Sequence, residues 1–162
     1  MTYRLMTRRS LLAATGGVVT VGATGLIAPA RAQSFAPTPT MRGGANNYQA
    51  GAPVVERIGG GGFWMTGRVR RAGDGAPLAG QRIQIWAHTT EASERDPESH
   101  GATLTDENGM FRLEMPQIVP AFGQAHGHLA CDNAAFETVF LRPILRDPSV
   151  MNLNVDFILK PV

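Results

Sequence analysis

From Phe63 onward the chain alternates apolar and polar residues in short runs, and each run ends in turn chemistry. Phe63 to Val69 reads as a first strand. Gly73-Asp74-Gly75, Pro77 and Gly80 form the turn after it. In Gln81 to His88, Ile83, Ile85 and Ala87 fall on one side and Gln84, Trp86 and His88 on the other. A polar loop follows over Thr89 to His100, then a short strand over Ala102 to Thr105, with Asp106 to Gly109 as a hairpin turn. Phe111, Leu113 and Met115 alternate against Arg112 and Glu114. Gly127 to Cys131 and Glu137 to Leu141 give two more strands. Met151, Leu153, Val155, Phe157 and Leu159 alternate with Asn152, Asn154, Asp156 and Lys160 as one half-buried strand. No segment past residue 32 carries a helical period of useful length. Short strands at this spacing predict an all-β fold, an antiparallel β-sandwich over residues 63–162.

Upstream the pattern changes twice. Residues 33–62 are rich in Pro, Gly, Ala and Asn and end in Gly59 to Gly62, so they read as an extended, disordered and flexible arm. Residues 1–32 read as a twin-arginine signal peptide. Thr7-Arg8-Arg9-Ser10-Leu11-Leu12 opens it, an uncharged glycine-diluted stretch follows, and Ala30-Arg31-Ala32 is a small-x-small cleavage site. The apolar stretch is too short and glycine-rich for an anchor, so the expectation is a periplasmic or secreted protein that leaves the membrane after cleavage.

Removing the signal changes the charge. Without Arg4, Arg8, Arg9 and Arg31 the 15 basic residues fall to 11 against 13 acidic ones, a formal charge of −2. The basic balance of the full chain thus gives no electrostatic case for nucleic acid. Cys131 is the sole cysteine, which excludes an internal disulfide; it reads as a small buried core residue.

The chemistry concentrates in Ala125-His126-Gly127-His128. Imidazoles at i and i+2 on a strand share one side of the sheet and can offer a cation two nitrogens. The two remaining histidines, His88 and His100, flank the polar loop and are further candidate ligands, or ordinary loop histidines. Glu91, Glu94, Asp96 and Glu98 lie in that loop and read mostly as a solvated acidic surface. Trp86 is read as core. No Ser-His-Asp or Cys-His arrangement supports hydrolysis.

Three stretches together resemble the core of the intradiol ring-cleavage dioxygenases. They are Tyr48-Gln49-Ala50-Gly51-Ala52-Pro53; Thr66 to Val69 through Asp74-Gly75-Ala76-Pro77-Leu78-Ala79-Gly80 to Ile83-Gln84-Ile85-Trp86; and Thr105 to Arg112 followed by the His-x-His. The resemblance spans most of residues 46–145. The middle stretch is shared with prealbumin-like sandwiches. The resemblance implies a mononuclear non-haem ferric iron, a small catechol-type aromatic substrate and oxidative ring opening, in a family whose members often pair as homo-oligomers. His126 and His128 match the two family histidines. The family's two tyrosine ligands have no counterpart, since Tyr48, the one tyrosine beyond the signal, matches the lead-in. The family's active-site arginine matches Gly123. With both phenolates missing, the pair of imidazoles suits iron, zinc or copper. Two functions follow as expectations: a dioxygenase-like metalloprotein, or a non-catalytic β-sandwich binding module that has lost the iron site.

Overall fold

The computed structural model describes residues 34–162; the expected signal peptide over residues 1–32, and Gln33, the first residue of the expected arm, lie outside the described residues. Among the described residues eight strands form in chain order: β1 (Phe63–Arg71), β2 (Arg82–Ala87), β3 (His100–Leu104), β4 (Met110–Met115), β5 (Gly127–Cys131), β6 (Val139–Leu141), β7 (Asn152–Asn154) and β8 (Phe157–Leu159). One sheet runs β4-β1-β7 with β8 also on β1, and the other runs β3-β2-β5-β6. The all-β sandwich expected from alternation is the fold. Its inter-sheet core comes from the apolar phase of each strand: Phe63, Met65 and Val69 from β1, Ile83 and Ile85 from β2, and Phe111, Leu113 and Met115 from β4. Leu129 and Cys131 complete it from β5, and burial pushes the Cys131 thiol up to about 11.

Two local expectations are corrected. Asp106 to Gly109 is not a hairpin turn, because β3 and β4 belong to different sheets. The Asp106 carboxylate accepts the N–H groups of Asn108 and Met110, each at 2.8 Å, and turns the chain from one layer to the other. The C-terminal alternation is also not one antiparallel strand. It breaks into β7 and β8, both parallel to β1. At the break the Asp156 carboxylate, not a backbone carbonyl, accepts the Arg68 N–H at 2.9 Å. Gly67 permits the close approach there; a Cβ at that position would sit 1.9 Å from the Val155 carbonyl oxygen.

The segment 34–62, expected as an extended arm, is irregular, as its composition predicts, and it makes backbone hydrogen bonds to the sheets. It pairs with four strand edges in turn. The Thr38 N–H reaches Ile158 O on β8 at 2.9 Å, and the Met41 N–H reaches Phe140 O on β6 at 2.8 Å. Val55 N–H and Pro53 O bond to Ala102 on β3, and the Ile58 N–H bonds to Glu114 O on β4. Open edges are thereby satisfied without an extra regular strand. Between those anchors the segment covers the outer face of the β3-β2-β5-β6 sheet. That is why β2 and β5 are buried on both faces. Trp86 is buried accordingly, but on this outer face, with its Nε1–H donating to Asn46 O at 3.0 Å.

Candidate metal centre

His126 and His128 project from β5 and its approach onto the outer face, as their spacing predicts, and their rings converge with centroids 5.0 Å apart. Both are buried, 2% and 0% exposed. Each Nδ1 faces a backbone carbonyl: Gln124 O at 2.8 Å for His126 and Gly44 O at 3.0 Å for His128. A carbonyl only accepts, so His128 Nδ1 carries the proton; at His126 the carbonyl at 2.8 Å is nearer than the Arg142 Nη2 donor at 3.2 Å and sets the same tautomer, so both Nε2 lone pairs point into the site. This is the arrangement by which metal-ligating histidines are fixed in tautomer and orientation.

The third group is Glu94. Its Oε2 lies 3.3 Å from His126 Nε2 and 3.6 Å from His128 Nε2. A carboxylate only 4% exposed that faces two imidazole lone pairs is costly unless a metal ion or a proton on one imidazole lies between them. Glu94 Oε2 and His128 Nε2 have no hydrogen-bond partner. Among the described residues Glu94, His126 and His128 form the one cluster able to hold a metal, with ligand atoms within 4.8 Å of one another. Tetrahedral ligands about 2.05 Å from an ion stand about 3.3 Å apart, close to the spacings found.

The loop that carries Glu94 is locally over-determined. Thr89 Oγ1 accepts the N–H groups of Glu91 and Ala92, and Asp96 Oδ2 accepts that of Ser93. His100 does not join the cluster. It opens β3, stacks on Trp86 at 5.5 Å, and its Nε2–H donates to the Glu94 carbonyl at 3.0 Å. It therefore holds the Glu94 backbone in place of the metal. Burial pushes the His100 and His128 rings below the ordinary imidazole range, favouring the neutral form. His88 also stays outside the cluster. It is half-buried and lines a neighbouring pocket with Ser93, Arg95 and Phe122. Of the four loop carboxylates only Glu94 turns inward; Glu91 instead accepts the Gly60 N–H at 3.0 Å.

Tyr48 is not a ligand. Its hydroxyl donates to Asp132 Oδ2, and its ring packs between Trp86 and Phe140. Burial and that hydrogen bond push the phenol up to about 12. The position matching the family arginine is Gly123, yet a cation does stand at the site. Arg142, just past β6, places Nη2 3.2 Å from His126 Nδ1. Nothing in the sequence singled Arg142 out. A cavity of about 430 Å³ opens beside the triad, lined by Asn46, Asn47, Arg95, Arg142 and Phe122. Phe122 is 82% exposed and holds a left-handed backbone, φ 53°, at the mouth. Such strain collects at binding sites.

Fold and cluster together define an all-β sandwich with a buried His/Glu candidate metal centre. Solved structures carry the comparison further. The chain is similar to 3-chlorocatechol 1,2-dioxygenase from Rhodococcus opacus 1CP (TM-score 0.59, 17% identity, 81% of this chain and 75% of that one). It is similar to hydroxyquinol 1,2-dioxygenase from Pseudomonas putida DLL-E4 (TM-score 0.58, 15% identity, 80% and 68%). It also matches the dioxygenase domain of a dioxygenase carbohydrate-binding protein fusion from Streptomyces sp. SirexAA-E (TM-score 0.60, 14% identity, 78% and 100%). The chain has the fold of the intradiol dioxygenases, at an identity that marks it as divergent. No protein-family model and no curated protein sequence matches it. Among the described residues no helix is long and apolar enough to cross a membrane.

Proposed function

We propose that this is an exported, intradiol-dioxygenase-like oxidoreductase that opens catechol-type aromatic rings at a non-haem iron held by Glu94, His126 and His128. The observation that carries the reading is the convergence of three buried ligand atoms, two of them unpartnered, on one point. A ferric tyrosinate centre does not fit, because Tyr48 is committed to Asp132. Two imidazoles and one carboxylate fit a divalent ion, and this set with open positions is the pattern of non-haem ferrous oxygenases. When bound, such an iron supplies a Lewis acid for chelating a diol and an electron source for dioxygen.

The chain's own groups divide the remaining work. Glu94 brings one negative charge and the imidazoles none, so an ion there keeps a net positive charge toward the substrate. Arg142 adds a second positive group on the same wall and favours a deprotonated diol. Phe122 offers an aromatic face at the entrance, and the neighbouring Asn46 and Asn47 offer polar edges. The twin-arginine start supports export in the folded state, with the metal inserted beforehand.

The second reading is a binding module without iron. It is supported by the 3.3 Å separation of Glu94 Oε2 and His126 Nε2, which a protonated imidazole would close as a metal-free ion pair. Oxygen uptake separates the two. Protein reconstituted with ferrous iron without air should consume dioxygen on addition of catechol or protocatechuate, and Glu94→Ala should abolish the uptake. Iron-loaded protein that consumes none with either diol overturns the catalytic reading. Protein that takes up no metal leaves the module.

A further inference from the structure

The arm that the composition marks as loose supplies two of the polar groups that orient the metal ligands. Gly44 O receives the His128 Nδ1–H, and Asn47 Nδ2 donates to Glu94 Oε1 at 2.7 Å. Glu94 Oε1 only accepts, so the amide nitrogen of Asn47 must be the end that faces it. Asn47 itself sits in the left-handed region, φ 58°, which asparagine tolerates better than most residues. The strained backbone aims the side chain across 47 residues of sequence at a carboxylate on another loop.

We propose that Asn47 is a positioning residue for the metal centre: by holding Oε1 it makes Glu94 a monodentate ligand through Oε2. This rests on the reading of Glu94, His126 and His128 as the metal site. A glutamate free to turn about its last torsion can present either oxygen, both, or neither. With Oε1 occupied by the amide, Oε2 is the atom left facing His126 and His128, and it is the atom without a partner. Groups that orient ligands in this way typically carry about a tenfold to hundredfold share of metal affinity. The arm and the metal are then thermodynamically linked, because the ion binds best to the state in which residues 44–47 are seated.

The test is a Co²⁺ titration of the full folded protein, followed by visible absorption, on wild type and three variants. Asn47→Gly keeps the left-handed backbone and removes the amide. Asn47→Asp keeps the shape but replaces the donor with an acceptor. Tyr48→Phe removes the hydroxyl bond to Asp132, which fastens the arm elsewhere. The expected result is affinity about tenfold to hundredfold weaker for Asn47→Gly, at least as weak for Asn47→Asp, and unchanged for Tyr48→Phe, with an altered Co²⁺ spectrum in both Asn47 variants. Wild-type affinity in Asn47→Gly, or retained affinity in Asn47→Asp, overturns the proposal while leaving the metal site standing. Equal losses in Tyr48→Phe and Asn47→Gly also overturn it, since arm anchoring alone would then explain both. Should Asn47→Gly fail to fold, Asn47→Asp decides. Wild type that binds no Co²⁺ overturns the proposal and the metal site together.

Discussion

Replacing Glu94 with glutamine should make the metal-free protein more stable and deprive it of its metal. In the wild type without an ion, Oε2 and two imidazole lone pairs face one another, acceptors all, in a buried space. Glutamine is nearly isosteric. Its carbonyl can keep the Asn47 contact while its NH₂ turns to donate to His126 Nε2, 3.3 Å away, and with a small shift to His128 Nε2. Each unsatisfied buried polar group costs about 1–3 kcal/mol, so the variant should gain about that much. For a domain of this size the gain is about 3–10 °C in Tm. Zinc reverses the order, since an ion at a thousand times its Kd stabilises the wild type by about 4 kcal/mol and the variant by almost nothing. The assay is calorimetric melting at pH 8, where ordinary imidazoles are neutral, in chelator and in excess zinc. The two proteins should exchange rank between the conditions. A variant that melts below wild type in chelator would show that Glu94 is held by a protonated imidazole instead. Equal stabilisation of both by zinc would place the ion elsewhere.

Two further outcomes follow from single positions. Gly67→Ala puts a methyl 1.9 Å from the Val155 carbonyl oxygen and 2.6 Å from the Phe111 ring, so it should cost about 3 kcal/mol in urea unfolding; a change under about 0.5 kcal/mol would contradict the close β1 crossing. The Tyr48 phenol, followed by ultraviolet absorption on signal-free protein, should ionise near 12 and not near 10. Because its folded value is raised, the associated stability is complete below pH 10 and is lost as pH climbs through about 12; a midpoint near 10 would mean that Tyr48 is neither buried nor bonded to Asp132.

How far these features were legible in the sequence depends on the range of the interactions that fix them. Alternation gave the strands and the inter-sheet core because side-chain direction in a strand repeats every two residues. It could not tell that Ala102 and Phe111 enter different sheets, since a turn constrains direction but not partner. The His-x-His was legible for the same periodic reason. Glu94 was visible only as one of four loop carboxylates. What distinguishes it from Glu91 is a hydrogen bond from Asn47, far away in the chain, and one from His100 to its carbonyl within the same loop, and neither has a periodic signature. Arg142 reaches His126 across 16 residues and left no trace in spacing. The contacts of residues 34–62 were not legible because Pro, Gly and Asn mark an absence of regular structure, not an absence of contacts. Backbone groups at open strand edges take up such a segment whatever its periodicity.

The most direct measurement is a crystal structure of iron-soaked protein with anomalous differences collected at the iron edge. The account predicts a single strong peak about 2.0–2.2 Å from Glu94 Oε2, His126 Nε2 and His128 Nε2, with Tyr48 still on Asp132. No peak among those three atoms, or one that has drawn the Tyr48 phenolate onto the metal, would contradict it.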